Sequence, residues 1–375
     1  MRKNILILGH NDATQFIDIY NQYTRLFDKN KYEVTVAYLT SAPSDEVKKR
    51  TLAENTIFLN IPKKNVRTLK IGAIRKLLAL CREKNFEMVI CHRYKPTYIM
   101  MWVAQFHKIP AMIFVMHELR TMASFNRQLL IAALQRKNML FAGVSNAVRD
   151  DMRKDLWCVP KERVITLYNV IDIDLTEPQF LPREEARAAL HLPHDAFVFG
   201  NLARLVRNKD QENLIHAFSL IKPYCPKAKL IIVGEGELET KLKEQVKSLG
   251  LTDDIIFTGF LTSGLRYMKA FDCFVLSSIQ EAFGRVLIEA MIAKLPIIAT
   301  TVNGIPEVVS NAGTLVKPKN AVQLAEAMKH IYAASAEERA QLGQTAYQQA
   351  ATHFSIPTFY QYFWQLPLIR HISEE

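Results

Sequence analysis

Cysteine, glycine and proline are scarce in this sequence. There are five cysteines, an odd number, and none of them belongs to a CxxC pair: Cys81, Cys91, Cys158, Cys225 and Cys273. This usage argues against a disulfide scaffold or a zinc knuckle and is typical of a reducing compartment. The 13 glycines and 15 prolines among 375 residues form no low-complexity tract and no repeat, which excludes collagen-like and solenoid architectures.

Long hydrophobic runs are also missing. The longest apolar stretch, 98–116, is interrupted by polar residues and proline and therefore cannot span a bilayer as one helix: Gln105, His107, Lys108 and Pro110. The apolar segment after the first three residues is too short for a secretory leader. With 49% hydrophobic and 23% charged residues, the composition is that of a globular protein. We therefore expect a cytoplasmic protein.

Negative charge is too low to balance the positive charge in the first half of the chain. Residues 1–180 hold 28 Lys and Arg against 17 Asp and Glu, whereas 181–375 hold 20 of each sign, so the whole net charge of +11 lies in the first half. Either this is a solvated basic face, or it meets an anionic partner such as nucleic acid, an acidic membrane surface or a phosphorylated substrate. Many basic residues crowd between positions 48 and 84: Lys48, Lys49, Arg50, Lys63, Lys64, Arg67, Lys70, Arg75, Lys76, Arg82 and Lys84.

Short β-branched runs alternate with helical patterns along the chain. The predicted strands form a series of seven and a series of six: 4–8, 33–39, 56–61, 87–91, 111–115, 140–144 and 163–167, then 197–202, 229–233, 254–257, 273–276, 296–299 and 314–316. Apolar strands separated by helices predict parallel sheets covered on both faces. We predict an α/β protein of two Rossmann-like parallel-sheet domains facing a cleft, 1–175 and 176–353, with a proline-rich linker over 172–195.

In open parallel sheets, ligands bind beyond the carboxyl ends of the strands. In the first half these positions hold Gly9-His10-Asn11-Asp12 and His117-Glu118. In the second half they hold Arg204, Gly234-Glu235-Gly236 and Gly259-Phe260. Polar residues and glycines at these positions indicate a cleft enzyme.

Patterns that would indicate a cofactor are weak. Gly234-Glu235-Gly236 begins like a dinucleotide fingerprint, but Glu239 takes the third glycine position, so we interpret it as a tight turn. Asp172-Ile173-Asp174 has the spacing of a metal clamp but lies in the proline-rich crossover, and the histidines show no metal-ligand spacing. We therefore expect neither a cofactor nor a metal.

The strongest constellation lies in the second half. Arg204 and Lys209 place two cations on one loop after a strand, where they can neutralise a diphosphate. Glu281 and Glu289 flank Phe283-Gly284, which opens a predicted helix whose N-terminus favours an anion and whose glycine lets a ligand approach the backbone. The Glu289 carboxylate, on that helix, can accept both hydroxyls of a ribose.

These residues belong to a longer pattern. Residues 197–316 resemble the donor domain of the retaining GT-B glycosyltransferases of family 4, through GNLARLVRNKD, VGEGELETKLKEQVKSLGL, FTGF, SSIQEAFGRVLIEAM and IIATTVNGIPEVV. Weaker similarities occur earlier, in VMHEL, GVSNAVRDDM and YNVIDID. The resemblance implies a GT-B fold and sugar transfer from a nucleotide-sugar. It also implies that a C-terminal helix over 354–375 returns to the first domain.

The resemblance implies roles for the matching residues. Arg204 and Lys209 would hold the diphosphate, Glu289 would bind the ribose and Glu281 would orient the donor sugar. The other donor-site candidates are the backbone of Phe283 and Gly284, together with Arg285, Gly259, Phe260 and Gly9. His117 would lie near the transferred sugar, and the further acceptor-side candidates are His10, Asp12 and Glu118.

Two positions depart from the family pattern. His10 follows Gly9 where family members commonly carry a second glycine, and Asn303 stands before Gly304 in the turn that usually reads GG-x-PE. The first departure puts the contact between this loop and the diphosphate in question.

The expected chemistry follows from charge. Cleaving a sugar–diphosphate bond leaves negative charge on the phosphate, which Arg204, Lys209 and the helix N-terminus at Gly284 would stabilise without a metal. No carboxylate is placed as a glycosidase-type nucleophile, so we expect same-face substitution with net retention. A UDP-hexose is the favoured donor.

The acceptor is inferred from the basic half. A lipid-linked or phosphorylated glycan at the anionic inner-membrane surface would match its charge. Lipopolysaccharide core is the favoured acceptor, and a polyprenyl-diphosphate-linked O-antigen or capsule glycan is the alternative. The segment 120–137, with basic ends and an apolar centre, fits either a membrane interface or a core-packed helix.

Other function classes make different predictions. A nucleic-acid-binding protein needs aromatic residues among its basic ones, but 48–84 contains only Phe58, so we expect no nucleic-acid partner. A nucleotide-sugar epimerase or a phosphorylase of similar architecture would need no basic acceptor face. A non-catalytic basic-surface protein is the remaining alternative.

Overall fold

A computed structural model describes residues 2–62 and 71–374. The chain folds into two compact units. The first contains the residues up to Asn169 together with those from Ile356 onward, and the second is Val170–Ser355. The sequence had suggested boundaries at 175/176 and 353/354.

The first unit is built around a seven-stranded sheet with the order β3-β2-β1-β4-β5-β6-β7, in which every paired strand is parallel. Its strands are β1 (Lys3–Gly9), β2 (Tyr32–Tyr38), β3 (Asn55–Phe58), β4 (Met88–His92), β5 (Ala111–Met116), β6 (Met139–Gly143) and β7 (Val164–Thr166). Its helices before the crossover to the second unit are α1 (Thr14–Thr24), α2 (Asp45–Arg50), α3 (Ile71–Lys84), α4 (Tyr94–Phe106), α5 (Phe125–Leu134) and α6 (Asn146–Asp155).

The second unit is built around a six-stranded parallel sheet with the order β10-β9-β8-β11-β12-β13. Its strands are β8 (Phe197–Leu202), β9 (Ala228–Val233), β10 (Ile255–Gly259), β11 (Cys273–Leu276), β12 (Ile297–Thr300) and β13 (Thr314–Val316). Its helices are α7 (Ile173–Thr176), α8 (Arg183–Ala189), α9 (Gln211–Ile221), α10 (Glu239–Ser248), α11 (Arg285–Ile292), α12 (Ile305–Val309), α13 (Ala321–Ala333) and α14 (Ala336–His353).

The predicted fold class, two Rossmann-like parallel-sheet domains, is confirmed. The central strands β4, β5 and β6 are buried along their whole length, as parallel strands covered by helices on both faces must be. The strand order reverses between β1 and β4 in one sheet and between β8 and β11 in the other. The loops after these four strands therefore flank the switch points where open α/β sheets bind ligands.

The predicted linker over 172–195 is wrong. This segment lies within the second unit and contains α7 and α8. Asp272 anchors it, because its two carboxylate oxygens accept from Arg183 Nη2 at 2.6 Å and from the buried Arg187 Nη2 at 2.7 Å. Asp272 Oδ2 also accepts from the backbone N–H of Val198, near the start of β8, at 2.7 Å. The prolines of this segment lie at or near the ends of short helices and do not mark a flexible linker.

The C-terminal segment groups with the first unit and forms two helices, α15 (Ile356–Trp364) and α16 (Pro367–Glu374). Trp364 Nε1 donates to the Leu26 carbonyl at 3.0 Å, and the Phe363 ring packs edge-on against Phe27. The ammonium of Lys3, at the start of β1, donates to the Ile372 carbonyl at 2.8 Å. Phe354 and Ser355, which the sequence placed in this segment, belong to the second unit.

Candidate active site

The central feature of the second unit is an ion pair between Lys209 Nζ and Glu281 Oε2. Lys209 ends a short 3₁₀ turn (Arg207–Lys209) beyond β8, and Glu281 lies on the loop after β11. Both side chains are largely shielded, at 14% and 16% exposure. The Ser277 hydroxyl fixes the loop by donating to the Lys209 carbonyl at 2.8 Å, and the Ser278 hydroxyl donates to Glu281 Oε2 at 3.4 Å. The structure thus brings together two predicted site residues that are distant in sequence.

The backbone around Arg204 packs against the turn Gly234-Glu235-Gly236, which was interpreted from the sequence as a tight turn and not as a cofactor site. A Cβ on Gly234 would lie 2.1 Å from the Ala203 carbonyl oxygen, and a Cβ on Gly236 would lie 2.4 Å from that of Leu205. The two glycines therefore let the turn after β9 pack against the backbone on both sides of Arg204, which is exposed. Their function is close backbone contact, which supports the interpretation as a tight turn.

Asn303 is a site residue that the sequence analysis noted only as a departure. Its Oδ1 accepts from the Glu281 backbone N–H at 3.2 Å, and the N–H of Gly304 donates to the Glu281 carbonyl at 3.1 Å. A Cβ on Gly304 would lie 2.2 Å from the Ala282 carbonyl oxygen, so this position requires glycine. Asn303 tolerates its positive φ of 43° because asparagine adopts left-handed backbone more readily than most residues. The side chain thus supports the loop that carries Glu281.

The predicted helix opening at Gly284 is present. Gly284 precedes α11 with φ of 91°, a conformation that favours glycine. Phe283 is 2% exposed and packs edge-on against Phe354, so its side chain is not available to a ligand. Arg285 and Glu289 are half-buried on α11.

The loop after β10 presents an aromatic side chain. Gly259 has φ of 68°, and its carbonyl accepts from the Gly234 N–H at 3.0 Å. Phe260, the next residue, is 68% exposed. An exposed ring at the carboxyl end of the sheet can stack on a planar ligand such as a nucleobase.

In the first unit, the loop after β1 is packed against an aromatic ring. A Cβ on Gly9 would lie 2.4 Å from the Tyr20 ring, so this glycine is needed for packing whatever its relation to a ligand. The His10 carbonyl accepts from the Thr40 N–H at 3.1 Å and from its hydroxyl at 2.9 Å. Asp12, also on this loop, is half-buried.

At the carboxyl ends of β4 and β5 lie two histidines in hydrogen-bond contact. His92 Nδ1 is 3.1 Å from His117 Nε2. His92 is fully buried and contacts the ring of Tyr23 edge-on, at 4.6 Å between centroids. Burial, together with the neighbouring His117, lowers the pKa of His92 well below its ordinary value. This role of His92 was not predicted from the sequence, although its place at the end of an apolar strand was a signal.

A pocket of about 440 Å³ in the first unit brings together three of the predicted acceptor-side residues, His10, His117 and Glu118. Gly9 and Asp12 are not among its lining residues. The pocket also has a basic wall, formed by four residues that were not among the predicted site residues, although two of them lie in the segment 120–137. They are Arg93, Lys95, Arg120 and Arg127.

The basic residues that crowd between positions 48 and 84 lie on two helices where the structure describes them. Lys48, Lys49 and Arg50 end α2, and Arg75, Lys76, Arg82 and Lys84 lie on α3, whereas Lys63, Lys64, Arg67 and Lys70 lie outside the described residues. In the segment 120–137, α5 buries Ile131 and Leu134 but leaves Phe125 65% and Leu129 45% exposed. The helix is thus packed on one face and apolar on part of the other.

Metal-binding clusters and membrane-spanning helices are both missing from residues 2–62 and 71–374. These residues contain no group of three or more His, Cys, Asp or Glu side chains arranged to hold a metal ion. None of their helices has the length and apolar character needed to cross a membrane.

The sequence matches known families in both halves. Residues 182–349 match Glycosyl transferases group 1, and residues 21–175 match Glycosyltransferase Family 4. Each half of the chain therefore resembles a glycosyltransferase domain. The first match contains Arg204, Lys209, Glu281 and Glu289, and the second contains His92 and His117.

Individual relatives share parts of the chain. An uncharacterized glycosyltransferase of Methanocaldococcus jannaschii is 40% identical over 106 residues, 28% of this chain and 26% of that protein. The N-acetylgalactosamine-N,N'-diacetylbacillosaminyl-diphospho-undecaprenol 4-alpha-N-acetylgalactosaminyltransferase of Campylobacter jejuni is 26% identical over 232 residues, 60% of each chain. The chain thus spans between about a quarter and three fifths of the length of these two relatives.

The fold is also shared by solved structures. That of HepE from Anabaena, determined in complex with UDP and glucose, is similar over 100% of both chains, with a TM-score of 0.79 and 20% sequence identity. At this identity the similarity shows a common fold.

Proposed function

We propose that the protein transfers a hexose-type sugar from a UDP-sugar to a membrane-associated glycan, with retention of anomeric configuration. The observation that carries the proposal is the Lys209–Glu281 pair, with the exposed Arg204 on the same loop as Lys209, at the switch point of a domain that matches Glycosyl transferases group 1. UDP is the proposed nucleotide because the structurally similar HepE was solved with it.

The donor is held by charge. Arg204 and Lys209 neutralise the diphosphate, and the N-terminus of α11 adds the partial positive charge of a helix end. Glu289 accepts from the ribose hydroxyls and Phe260 lies against the base. Two cationic side chains supply the charge that a divalent ion would otherwise bring, so we propose transfer without a metal.

The transfer step exchanges one bond at the anomeric carbon. The bond to the diphosphate oxygen breaks, the bond to the acceptor hydroxyl oxygen forms on the same face, and the departing phosphate takes the hydroxyl proton. Glu281 is engaged by Lys209 and Ser278, which suits a carboxylate that orients sugar hydroxyls rather than one that attacks carbon. His117, in the pocket of the first unit, is assigned to the reacting sugars.

The acceptor is proposed from the net charge of +11, all of it in the first half. A phosphorylated or lipid-linked glycan at the cytoplasmic face of the inner membrane matches it, with lipopolysaccharide core as the first candidate. A polyprenyl-diphosphate-linked glycan is the second, and the relative from Campylobacter jejuni, named for a diphospho-undecaprenol substrate, favours it.

The donor assignment is tested by binding and slow hydrolysis across UDP-, GDP- and ADP-sugars, with and without a chelator. We expect a UDP-hexose to bind equally well with the chelator present. Arg204→Ala combined with Lys209→Ala should weaken binding by about 100-fold or more, since two charge-assisted contacts are lost. The matched control is Lys241→Ala with Lys243→Ala, two exposed lysines of the same unit. Unchanged binding in the site variant would refute the assignment.

Product analysis separates the rival activities. With acceptor present, the anomeric proton coupling of the product reports retention. An epimerase would instead convert the sugar of the UDP-sugar with no acceptor present, and a non-catalytic protein would neither transfer nor hydrolyse it.

A further inference from the structure

The pocket of the first unit has a strongly basic wall. Four cationic side chains and one carboxylate, Glu118, line its volume of about 440 Å³. The cations are Arg93, Lys95, Arg120 and Arg127. With the two lining histidines neutral, the wall carries a formal charge of +3, which favours an anion inside the pocket.

Two of the arginines are held in place by aromatic rings. The Arg127 guanidinium lies 4.3 Å from the centroid of the Tyr94 ring, and its Nη1 donates to the Thr121 carbonyl at 2.5 Å. The Arg93 guanidinium lies 5.0 Å from the Phe16 ring. A guanidinium fixed in this way loses little conformational entropy when it binds, so the wall is preorganised for a ligand.

The other two cations are placed by the backbone. Arg120 has φ of 58°, and its N–H donates to Asp151 Oδ2 at 2.5 Å, which fixes the turn after β5. Lys95 lies in the first turn of α4, where the N-cap residue Arg93 makes no side-chain capping hydrogen bond. Its charge is therefore added to that of a helix N-terminus.

We infer that this pocket binds a phosphate group of the acceptor, with Lys95, Arg120 and Arg127 as its ligands. The inference rests on the proposed function and deepens it by naming the acceptor class. The paired N–H groups of a guanidinium match the oxygens of a phosphate. A wall of formal charge +3 also attracts a phosphate dianion more strongly than it attracts a singly charged carboxylate. Because His117 lines the same pocket, the phosphate lies close to the hydroxyl that receives the sugar.

Inorganic pyrophosphate is the probe for binding, titrated into the full chain saturated with UDP so that the donor site is occupied. The wild type and a charge-matched control should bind it equally, whereas Lys95→Gln with Arg120→Gln should bind at least about tenfold more weakly. The control is Lys108→Gln with Lys161→Gln, two exposed residues that precede β5 and β7 and so lie at the opposite edge of the sheet. Equal binding by the site variant, or no binding by the wild type, overturns the inference.

UDP binding distinguishes this failure from that of the proposed function. If UDP does not bind, the donor assignment fails. Pyrophosphate is then titrated into the Arg204→Ala, Lys209→Ala variant, so that the pocket is still tested. Thermal unfolding of every variant shows whether a loss of binding reflects a loss of fold.

Transfer assays identify the source of the phosphate. One arm compares a phosphorylated core oligosaccharide with its dephosphorylated form, and the other compares a polyprenyl-diphosphate-linked glycan with the free glycan. In the arm whose acceptor carries the phosphate that the pocket binds, removing that phosphate should raise the KM for the acceptor about tenfold for the wild type. The same removal should leave the KM of the Lys95→Gln, Arg120→Gln variant almost unchanged. An equal response of the two proteins in both arms overturns the inference.

Discussion

His92 Nδ1 and His117 Nε2 lie 3.1 Å apart, with His92 fully buried and His117 lining the pocket. Burial and the neighbouring imidazole lower the pKa of His92, so its ring is neutral at physiological pH. One of the two rings donates the shared proton and the other accepts it. His92 therefore orients the His117 ring and restricts its tautomer, as a positioning residue that does not itself reach the pocket.

We expect His92→Phe to lower kcat by about tenfold or more while the KM for the nucleotide-sugar changes little. Phenylalanine keeps the ring but removes the hydrogen bond that orients His117. His92→Asn is the matched control, because the asparagine amide can replace Nδ1 and should restore part of kcat. Equal rates for both variants would mean that His92 acts only through packing. The measurement is initial-rate kinetics with varied donor.

The same histidine makes stability depend on pH. The pKa of His92 is lowered in the folded state, so below the unfolded value of about 6.5 the unfolded chain takes up a proton that the folded chain excludes. Its contribution to stability is thus complete above about pH 6.5 and is lost as the pH falls from there, by up to about 1.4 kcal/mol per pH unit.

Unfolding by urea at pH 7, 6 and 5 tests this in the wild type and in His92→Phe. All three tryptophans, Trp102, Trp157 and Trp364, lie in the first unit, so their fluorescence reports on the unit that contains His92. The free energy of unfolding of the wild type should fall relative to the variant as the pH decreases. Parallel profiles would show that His92 does not contribute.

Substitutions in the Lys209–Glu281 pair should change the affinities for UDP and for UDP-sugar in different ways. Lys209→Met should weaken both by about tenfold or more, because the diphosphate loses a cation. Glu281→Gln should leave the affinity for UDP at or above the wild-type value, since it removes a negative charge from the site, yet weaken UDP-sugar relative to UDP.

Calorimetric titration of both ligands measures the difference. The control pair is Lys241→Met and Glu212→Gln, an exposed ion pair of the same unit, which should alter neither affinity. If Glu281→Gln weakened UDP and UDP-sugar equally, Glu281 would not contact the sugar.

Gly234→Ala should destabilise the second unit by about 2 kcal/mol and weaken UDP binding, because the new Cβ would meet the Ala203 carbonyl oxygen and displace the Arg204 loop. Gly250→Ala is the matched control: Gly250 also has a positive φ, 68°, but nothing lies within 4 Å of its added Cβ. That variant should lose only about 1 kcal/mol through backbone strain and keep its UDP affinity. Unchanged UDP binding in Gly234→Ala would show that the turn does not position Arg204. Chemical unfolding and calorimetry provide the two measurements.

The strands were predictable because burial on both faces leaves a continuous apolar pattern. The predicted 111–115 and 273–276 correspond to β5 and β11, and every other predicted strand also has its counterpart. The linker prediction failed because the ion pairs of Arg183 and Arg187 with Asp272 join residues more than 80 positions apart. Proline content gives no information about such contacts.

The candidate site was predictable where its residues follow strands in sequence. Lys209, Glu281 and His117 were found in this way, because parallel strands place their carboxyl ends at one edge. His92 and Asn303 were missed as functional residues, since each acts through a neighbour, His117 or the Glu281 backbone, that only folding brings near.

The sequence by itself determined the two parallel-sheet domains and the candidate residues at strand ends, because hydrophobic periodicity and strand-end position are local properties of the chain. The tertiary structure alone decided which of these residues meet. It paired Lys209 with Glu281, placed His92 against His117 and gathered the cations from positions 93 to 127 around one pocket. Such contacts depend on strand order and loop packing, which bring distant segments together, and no pattern of neighbouring residues encodes them.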